Sequence, residues 1–223
     1  MKCLIFDVET TGLIKRDEKT GKKIYPYVVQ LSWIVYDSDN RMVEKEKDYV
    51  IRLPEYVLIP KECEEVHGIS NRRMRAEGQN VKVVLNYFSK DLNQCDMLVA
   101  HNITFDTSVV YEELKRNEMY YSLKKLSQIR RYCTMHMGKN ICCIERKNKE
   151  TGEIYYKKPK LIELHECLYK TTPKNLHNSL IDVWVCWRCF CSLYFGYDLI
   201  NSKNRWNYYQ ELSLYYNNIC NLS

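Results

Sequence analysis

Four carboxylates and one histidine, scattered along the chain, are of types that can work together. In the opening run KCLIFDVET, Asp7 and Glu9 stand two residues apart in apolar surroundings. The run reads as a strand, and a strand's period of two sends both side chains to the same face of a sheet. Two carboxylates placed together near a buried strand end repel each other, and a divalent metal is the most economical group that neutralises them. An exposed strand face carrying two acids has the same D-x-E spacing. Asp106, in LVAHNITFD, falls on the first turn of a helix that follows a short buried strand. An acid there is also a favourable helix start, near the positive end of the dipole. In HNSLID, His177 precedes Asp182 by five residues. Helical positions five apart are rotated by about 140°, which places His177 in the loop or first turn. Asp182 then projects inward from an apolar helix, where an aspartate needs a partner.

The elements that must position these residues follow from the apolar pattern. KCLIFDVET, PYVVQLSWIVYD and Tyr49 to Leu53 read as three strands of an antiparallel meander, the first ending at the Thr10-Thr11-Gly12 turn. CEEVHGIS and VKVVLNYFSKDL have helical spacing, MLVA is a short buried strand, and FDTSVVYEELKRN resumes a helix. A short helix is expected near Leu123 to Ile129, a hairpin-like insertion around Thr151-Gly152, and an amphipathic helix at LIELHECLYK. Pro173 and Asn175 break the chain before a long helix that begins near His177 or Asn178 and runs toward Tyr194; the tail from Asn201 predicts a last helix.

With 223 residues, 45% of them hydrophobic, the chain can bury one sizeable α/β core. No apolar run approaches the roughly 18 residues of a membrane span, and the N-terminus reaches acidic residues too early for a secretory signal. A soluble intracellular protein, cytoplasmic or nuclear, without a membrane partner is expected. The net charge of +6 permits a polyanionic partner without proving one. Two clusters concentrate it, Lys15 to Lys23 and Arg146 to Lys160; the second sets six Lys or Arg against two Glu, with Tyr155 and Tyr156 between them. Solvated loops have the same composition. The eleven cysteines are an odd number without a disulfide-like spacing, so reduced thiols are expected. Cys186, Cys189 and Cys191 offer a zinc reading, but their run VWVCWRCFCSLYF reads as a buried helix in which cysteine packs as a small hydrophobe.

FDVETTGL, LVAHNITFD and HNSLID, in this order, resemble the three motifs of the DEDDh exonucleases, the DnaQ-like group that includes proofreading subunits of bacterial replicative polymerases and RNase T. VHGIS, at Val66 to Ser70, is similar to another segment found between the first two motifs of that group. The resemblance spans Asp7 to Asp182 and implies an α/β, RNase H-like fold: a mixed five-stranded sheet with helices on both faces. It implies a domain over residues 1–199, with 200–223 a helical tail packed on it. The implied activity is two-metal 3′→5′ hydrolysis of terminal phosphodiesters of DNA or RNA, releasing nucleoside 5′-monophosphates.

By that resemblance Asp7 bridges two Mg²⁺ or Mn²⁺ ions, Glu9 and Asp182 complete one site, and Asp106 serves the other. His177 is the general base, a role suited to a side chain that titrates near neutrality. Thr10, Thr11 and Leu13 contact the terminal nucleotide of a single-stranded 3′ end, with Leu13 wedged against the last base. His67 and Asn102 are further substrate contacts, although His67 is equally a helix-end structural histidine and Asn102 a helix cap. His101, His136 and His165 are expected to be structural. The charged loop at 14–25, the basic segment at 144–160 and the tail after Leu199 lie outside the pattern, which leaves substrate choice and any polymerase partner open. Two other readings remain: a catalytically silent module that binds nucleic acid or protein on the same fold, and a zinc-stabilised interaction protein.

Overall fold

Strand β1 (Lys2–Thr10) is apolar on both faces because two separate cores meet on it. Leu4, Phe6 and Val8 enter one core, and Cys3 and Ile5 enter the other. The computed structural model describes residues 1–174, 176–201 and 207–221. After β1 come a short hairpin of β2 (Lys15–Arg16) and β3 (Lys23–Ile24), then β4 (Val28–Asp37) and β5 (Met42–Arg52). Helices α1 (Lys61–His67) and α2 (Asn71–Glu77) lead to β6 (Gln79–Asn80) and α3 (Val81–Asn93). Strand β7 (Met97–Ala100) is followed by α4 (Ile103–Arg116), α5 (Tyr120–Gln128), β8 (Arg130–Cys133) and α6 (Thr134–Cys142). A second hairpin, β9 (Glu145–Lys147) with β10 (Ile154–Tyr156), precedes α7 (Leu161–Tyr169) and α8 (Ser179–Phe190). A π-helical turn, Cys191–Phe195, continues α8, and α9 (Asn207–Ile219) comes last.

The main sheet has the order β6-β5-β4-β1-β7-β8. Strands β1, β4 and β5 form the expected antiparallel meander, whereas β7 pairs parallel to β1, and β8 parallel to β7. The sheet is therefore a mixed, RNase H-like one with six strands where five were expected. The additional strand is β6, two residues that pair parallel with Ile51 and Arg52. So short a strand leaves no alternation to read, and Asn80 also caps α3.

On one face, Phe6, Trp33 and Phe88 meet edge to face or tilted at 5.4–5.6 Å, and the Trp33 indole N–H donates to Asp91 at 3.0 Å. On the other face lies α8, whose Val183, Val185, Cys186, Trp187, Cys189 and Phe190 are all buried. A helix apolar all round is an internal helix. All eleven cysteines are free, and Cys186, Cys189 and Cys191 belong to this core. Each aliphatic or aromatic side chain buried this way contributes about 1.5–3 kcal/mol. No described helix is long and apolar enough to cross a membrane.

Strand β8 and helix α6 were not anticipated. In RRYC the two arginines are exposed, as befits an edge strand. Helix α6 carries Gly138, where a Cβ would lie 2.7 Å from a Leu164 methyl and 3.1 Å from Pro159, so α7 and the segment before it pack closely there. Asn175, expected with Pro173 to break the chain, lies outside the described residues, as do residues 202–206 and 222–223 of the tail.

The tail helix reaches the core through Leu212, Tyr216 and Cys220. The Tyr216 hydroxyl donates to His165 Nε2 at 2.9 Å, while His165 Nδ1 donates to the Thr171 carbonyl at 2.8 Å. Burial holds His165 down at about 4, so it remains the neutral tautomer these bonds require. Beside it the buried Arg188 guanidinium lies 3.8 Å from the Tyr169 ring centroid and pairs with Asp198 at 2.7 Å. Removing one partner of a buried pair strands the other charge. Asp198→Ala is therefore expected to destabilise the protein by about 3–5 kcal/mol, measured as a lower urea midpoint at unchanged m-value.

Candidate active site

The period of two that sends Cys3 and Ile5 toward α8 carries Asp7 and Glu9 to that same face, beyond the last residue of β1 paired with β7. Helix α8 is fixed there by polar contacts at its start. The Ser179 hydroxyl donates to the Asp7 carbonyl at 2.7 Å, the Ser179 amide donates to Gln30 Oε1 at 3.3 Å, and the Asn178 side chain caps the Leu180 amide at 3.1 Å. Asp182, in the first turn of α8, consequently faces the two strand acids. One carboxylate oxygen from each of Asp7, Glu9 and Asp182 lies within 4.8 Å of the others. Among the described residues this is the one cluster of three or more His, Cys, Asp or Glu able to hold a metal. No cysteine takes part, so the zinc reading of Cys186 to Cys191 finds no support in the geometry.

Asp106 approaches this cluster from α4, near enough for its charge to raise Asp7 and Glu9. The chain leaves β7 and turns through Asn102, which has a left-handed φ of 68°, before the helix begins. Asp106 is buried. Burial raises all four acids. Asp7 stands well above the carboxylate range, through desolvation first and then the charges of Asp106, Asp182 and Glu9. Glu9 is pushed up to about 8 by burial and by Asp182 and Asp106. Asp106 reaches about 8 and Asp182 about 7, both chiefly through burial. None of the four forms an ion pair with a Lys, Arg or His among the described residues. An all-oxygen donor set with excess negative charge and no protein cation suits a hard divalent ion.

His177 lies in the loop before α8, as its spacing from Asp182 predicts. Its φ is 70°, unusual for a residue with a Cβ, and its amide donates to Asp182 Oδ2 at 3.1 Å. It lines a cleft of about 680 Å³ together with Asp7, Asp182, Asn102, His101 and Lys158. A second pocket, of about 450 Å³, is lined by Glu9, Thr10, Leu13, Val66, His67 and Phe105. The two pockets share no residue and meet at the acids.

The remaining expected contacts divide. Thr10, Leu13 and His67 come together in the smaller pocket, where Leu13 is 74% exposed. His67 Nδ1 accepts from the Ile69 amide at 3.1 Å, whereas its buried Nε2 has no partner, and desolvation lowers its pKa. Thr11 turns elsewhere: its hydroxyl accepts from the Tyr27 amide at 3.0 Å, and it lines neither pocket. Asn102 is no side-chain cap; it makes no capping bond and lines the larger cleft. His101 is engaged at both ring nitrogens, by Thr134 at 3.0 Å and the Pro159 carbonyl at 3.1 Å. Sequence reasoning did not place Lys158 and Lys160 in the cleft. Their cluster was visible as charge, but its position depends on the contact between His101 and Pro159, which no local pattern announces.

Comparison with known proteins bears on the family and the fold. Residues 4–186 match the RNase T family, described as exonuclease. No curated protein sequence matches the chain significantly. Among solved structures, Escherichia coli exonuclease I in complex with a dT13 oligonucleotide is 17% identical, with a TM-score of 0.63 over 86% of this chain and 41% of that one. The zinc ion bound form of the E. coli exonuclease I complex with single-stranded DNA is 15% identical, with a TM-score of 0.65 over 87% and 41%. A moderately thermophilic exonuclease I from Methylocaldum szegediense is 16% identical, with a TM-score of 0.62 over 86% and 40%. The chain thus spans about two fifths of the length of these proteins, and likeness at such identity is one of fold. Since the family match covers most of the residues, including every acid of the site, this chain belongs to the RNase T exonuclease family.

Proposed function

We propose that the chain is a 3′→5′ exonuclease that uses two Mg²⁺ or Mn²⁺ ions to release nucleoside 5′-monophosphates from a single-stranded 3′ end of DNA or RNA. The observation that carries this reading is the convergence of Asp7, Glu9 and Asp182 on one point, with the buried Asp106 carboxylate close enough to raise Asp7 and Glu9 and no ion pair to any of the four among the described residues. Asp7, Glu9 and Asp182 would hold one ion, and Asp7 with Asp106 would hold the other. When bound, the ions stabilise the attacking and leaving oxygens of the phosphodiester. His177, beside Asp182 in the cleft, takes the proton from the attacking water. The terminal nucleotide occupies the smaller pocket, its base against Leu13 and Phe105 and its polar edge toward Thr10 and the free Nε2 of His67. Asn102 contacts the strand from the larger cleft, and Thr11 supports the turn through Tyr27. Residues 200–223 serve as a helical extension of the same domain.

End-labelled DNA and RNA oligonucleotides, incubated with Mg²⁺, Mn²⁺ or EDTA, test the reading directly. Metal-dependent mononucleotide release from the 3′ end is expected; a metal-independent or absent product leaves only a binding module. Asp7→Ala and Asp182→Ala are expected to abolish turnover while keeping much of the strand binding. His177→Ala is expected to slow the reaction by about 10²–10⁴-fold, and turnover at the parent rate would remove His177 from the role of base.

The acids also fix a pH dependence that can be measured without substrate. Folded Glu9 and Asp106 titrate at about 8 and Asp182 at about 7, against about 4 in an unfolded chain. Between those limits the folded metal-free protein binds more protons than the unfolded one, so its stability falls as the pH rises from about 4 to about 8. In EDTA the melting temperature is expected to drop across that window, and Mn²⁺ to restore it at the alkaline end. Asp7→Asn is expected to raise the metal-free melting temperature at the alkaline end while eliminating turnover. A metal-free melting temperature that climbs with pH there would mean that protein groups already neutralise the acids.

A further inference from the structure

Resting on the exonuclease reading, a strand whose last nucleotide fills the Leu13 pocket and whose scissile phosphate meets the acids must leave through the larger cleft. The cations lining that exit are Lys158, Lys160 and, when charged, its histidines. Both lysines belong to the segment after β10.

The backbone carrying them is held at three points. Lys157 pairs with Glu163, the Lys160 amide donates to Glu163 Oε2 at 2.7 Å, and the Pro159 carbonyl accepts from His101 Nε2 at 3.1 Å. His101 donates reliably because burial holds it down at about 4, leaving the neutral ring with Nδ1 free to accept from Thr134. Pro159 is buried between the two lysines, against Gly138. Lys158 and Lys160 themselves are exposed, and among the described residues neither forms an ion pair with a carboxylate. Lys158 Nζ lies 2.9 Å from His136 Nε2, so its contact in the protein is to an imidazole. A fixed backbone bearing two exposed ammonium groups without a carboxylate ion pair, beside a phosphodiester site, is suited to hold phosphate.

We propose that Lys158 and Lys160 are positioning residues that hold the phosphates immediately 5′ of the scissile bond, so that the 144–160 segment makes cleavage depend on strand length. The apolar walls of the same cleft, Met135, Leu161 and Leu176, face the intervening bases.

The test compares wild-type protein with K158A/K160A on two substrates. One is a decanucleotide of thymidine or uridine. The other is the 4-nitrophenyl ester of thymidine 5′-monophosphate, which has no phosphate 5′ of the bond that breaks. The ratio of kcat/KM on the decanucleotide to that on the ester is expected to fall about tenfold or more, through KM. Anisotropy of a labelled decanucleotide in Ca²⁺ is expected to weaken, its salt slope becoming shallower by about 1.4 for two lost phosphate contacts. K158R/K160R is expected to restore both. Equal losses on the two substrates, or an unaltered salt slope, would overturn the proposal. Wild-type protein that hydrolyses neither substrate would instead refute the exonuclease reading, and the anisotropy arm would still decide whether the lysines hold phosphate.

Discussion

Uncompensated negative charge, buried where β1 ends, is the constraint around which the rest of the molecule is arranged. Carboxylates do not gather in a partly desolvated pocket of their own accord, because each raises the cost of ionising the others. Four do so here, from β1, α4 and α8, and among the described residues no lysine or arginine pairs with them. The stability of the two cores must therefore hold together a cluster that would otherwise separate. Trp33, Phe88, Trp187 and Phe190, packed on either side of the sheet, supply much of that stability. Such tension between folding and site is what a cation-dependent centre requires, since the energy held in repulsion is returned when the ion binds.

The geometry follows from opposite-running neighbours. Strand β4 runs antiparallel beside β1 and brings Gln30, which receives the amide at the start of α8. Strand β7 runs parallel on the other side but its pairing with β1 stops at Ile5, and α4, which carries Asp106, begins three residues after β7 ends. An open crevice at the end of a strand, where neighbouring connections diverge, is the usual ligand position in α/β sheets. Two left-handed residues, Asn102 and His177, make the turns that introduce the two helices. Asn102 is the residue just before α4, and His177 stands one residue before the cap of α8, Asn178.

Much of this is legible in the residues themselves. KCLIFDVET announces a central strand with two acids on one face, and the apolar surroundings of Asp182 announce a buried helix. What stays hidden depends on contacts between distant segments. β8 is a charged edge strand with no alternation, β6 is two residues long, and α6 is shaped by a glycine that admits Pro159. Asn102 resembles a cap by type, but its left-handed backbone gives it another place. Thr11 shares a turn with Thr10, yet Tyr27 draws it away from the pocket. In the 144–160 segment, composition reveals the charge, whereas its aim comes from His101 and Glu163.

Neither short hairpin, β2 with β3 or β9 with β10, contributes a strand to the main sheet. The first begins just past Leu13 and the second ends just before Lys158, each next to a residue that lines one of the two pockets. On the proposed exonuclease reading, the acids that cut and the hairpins that border the strand thus belong to different stretches of polypeptide, and a hairpin outside the main sheet can change in length or charge without shifting the register of β1, β4 and β7.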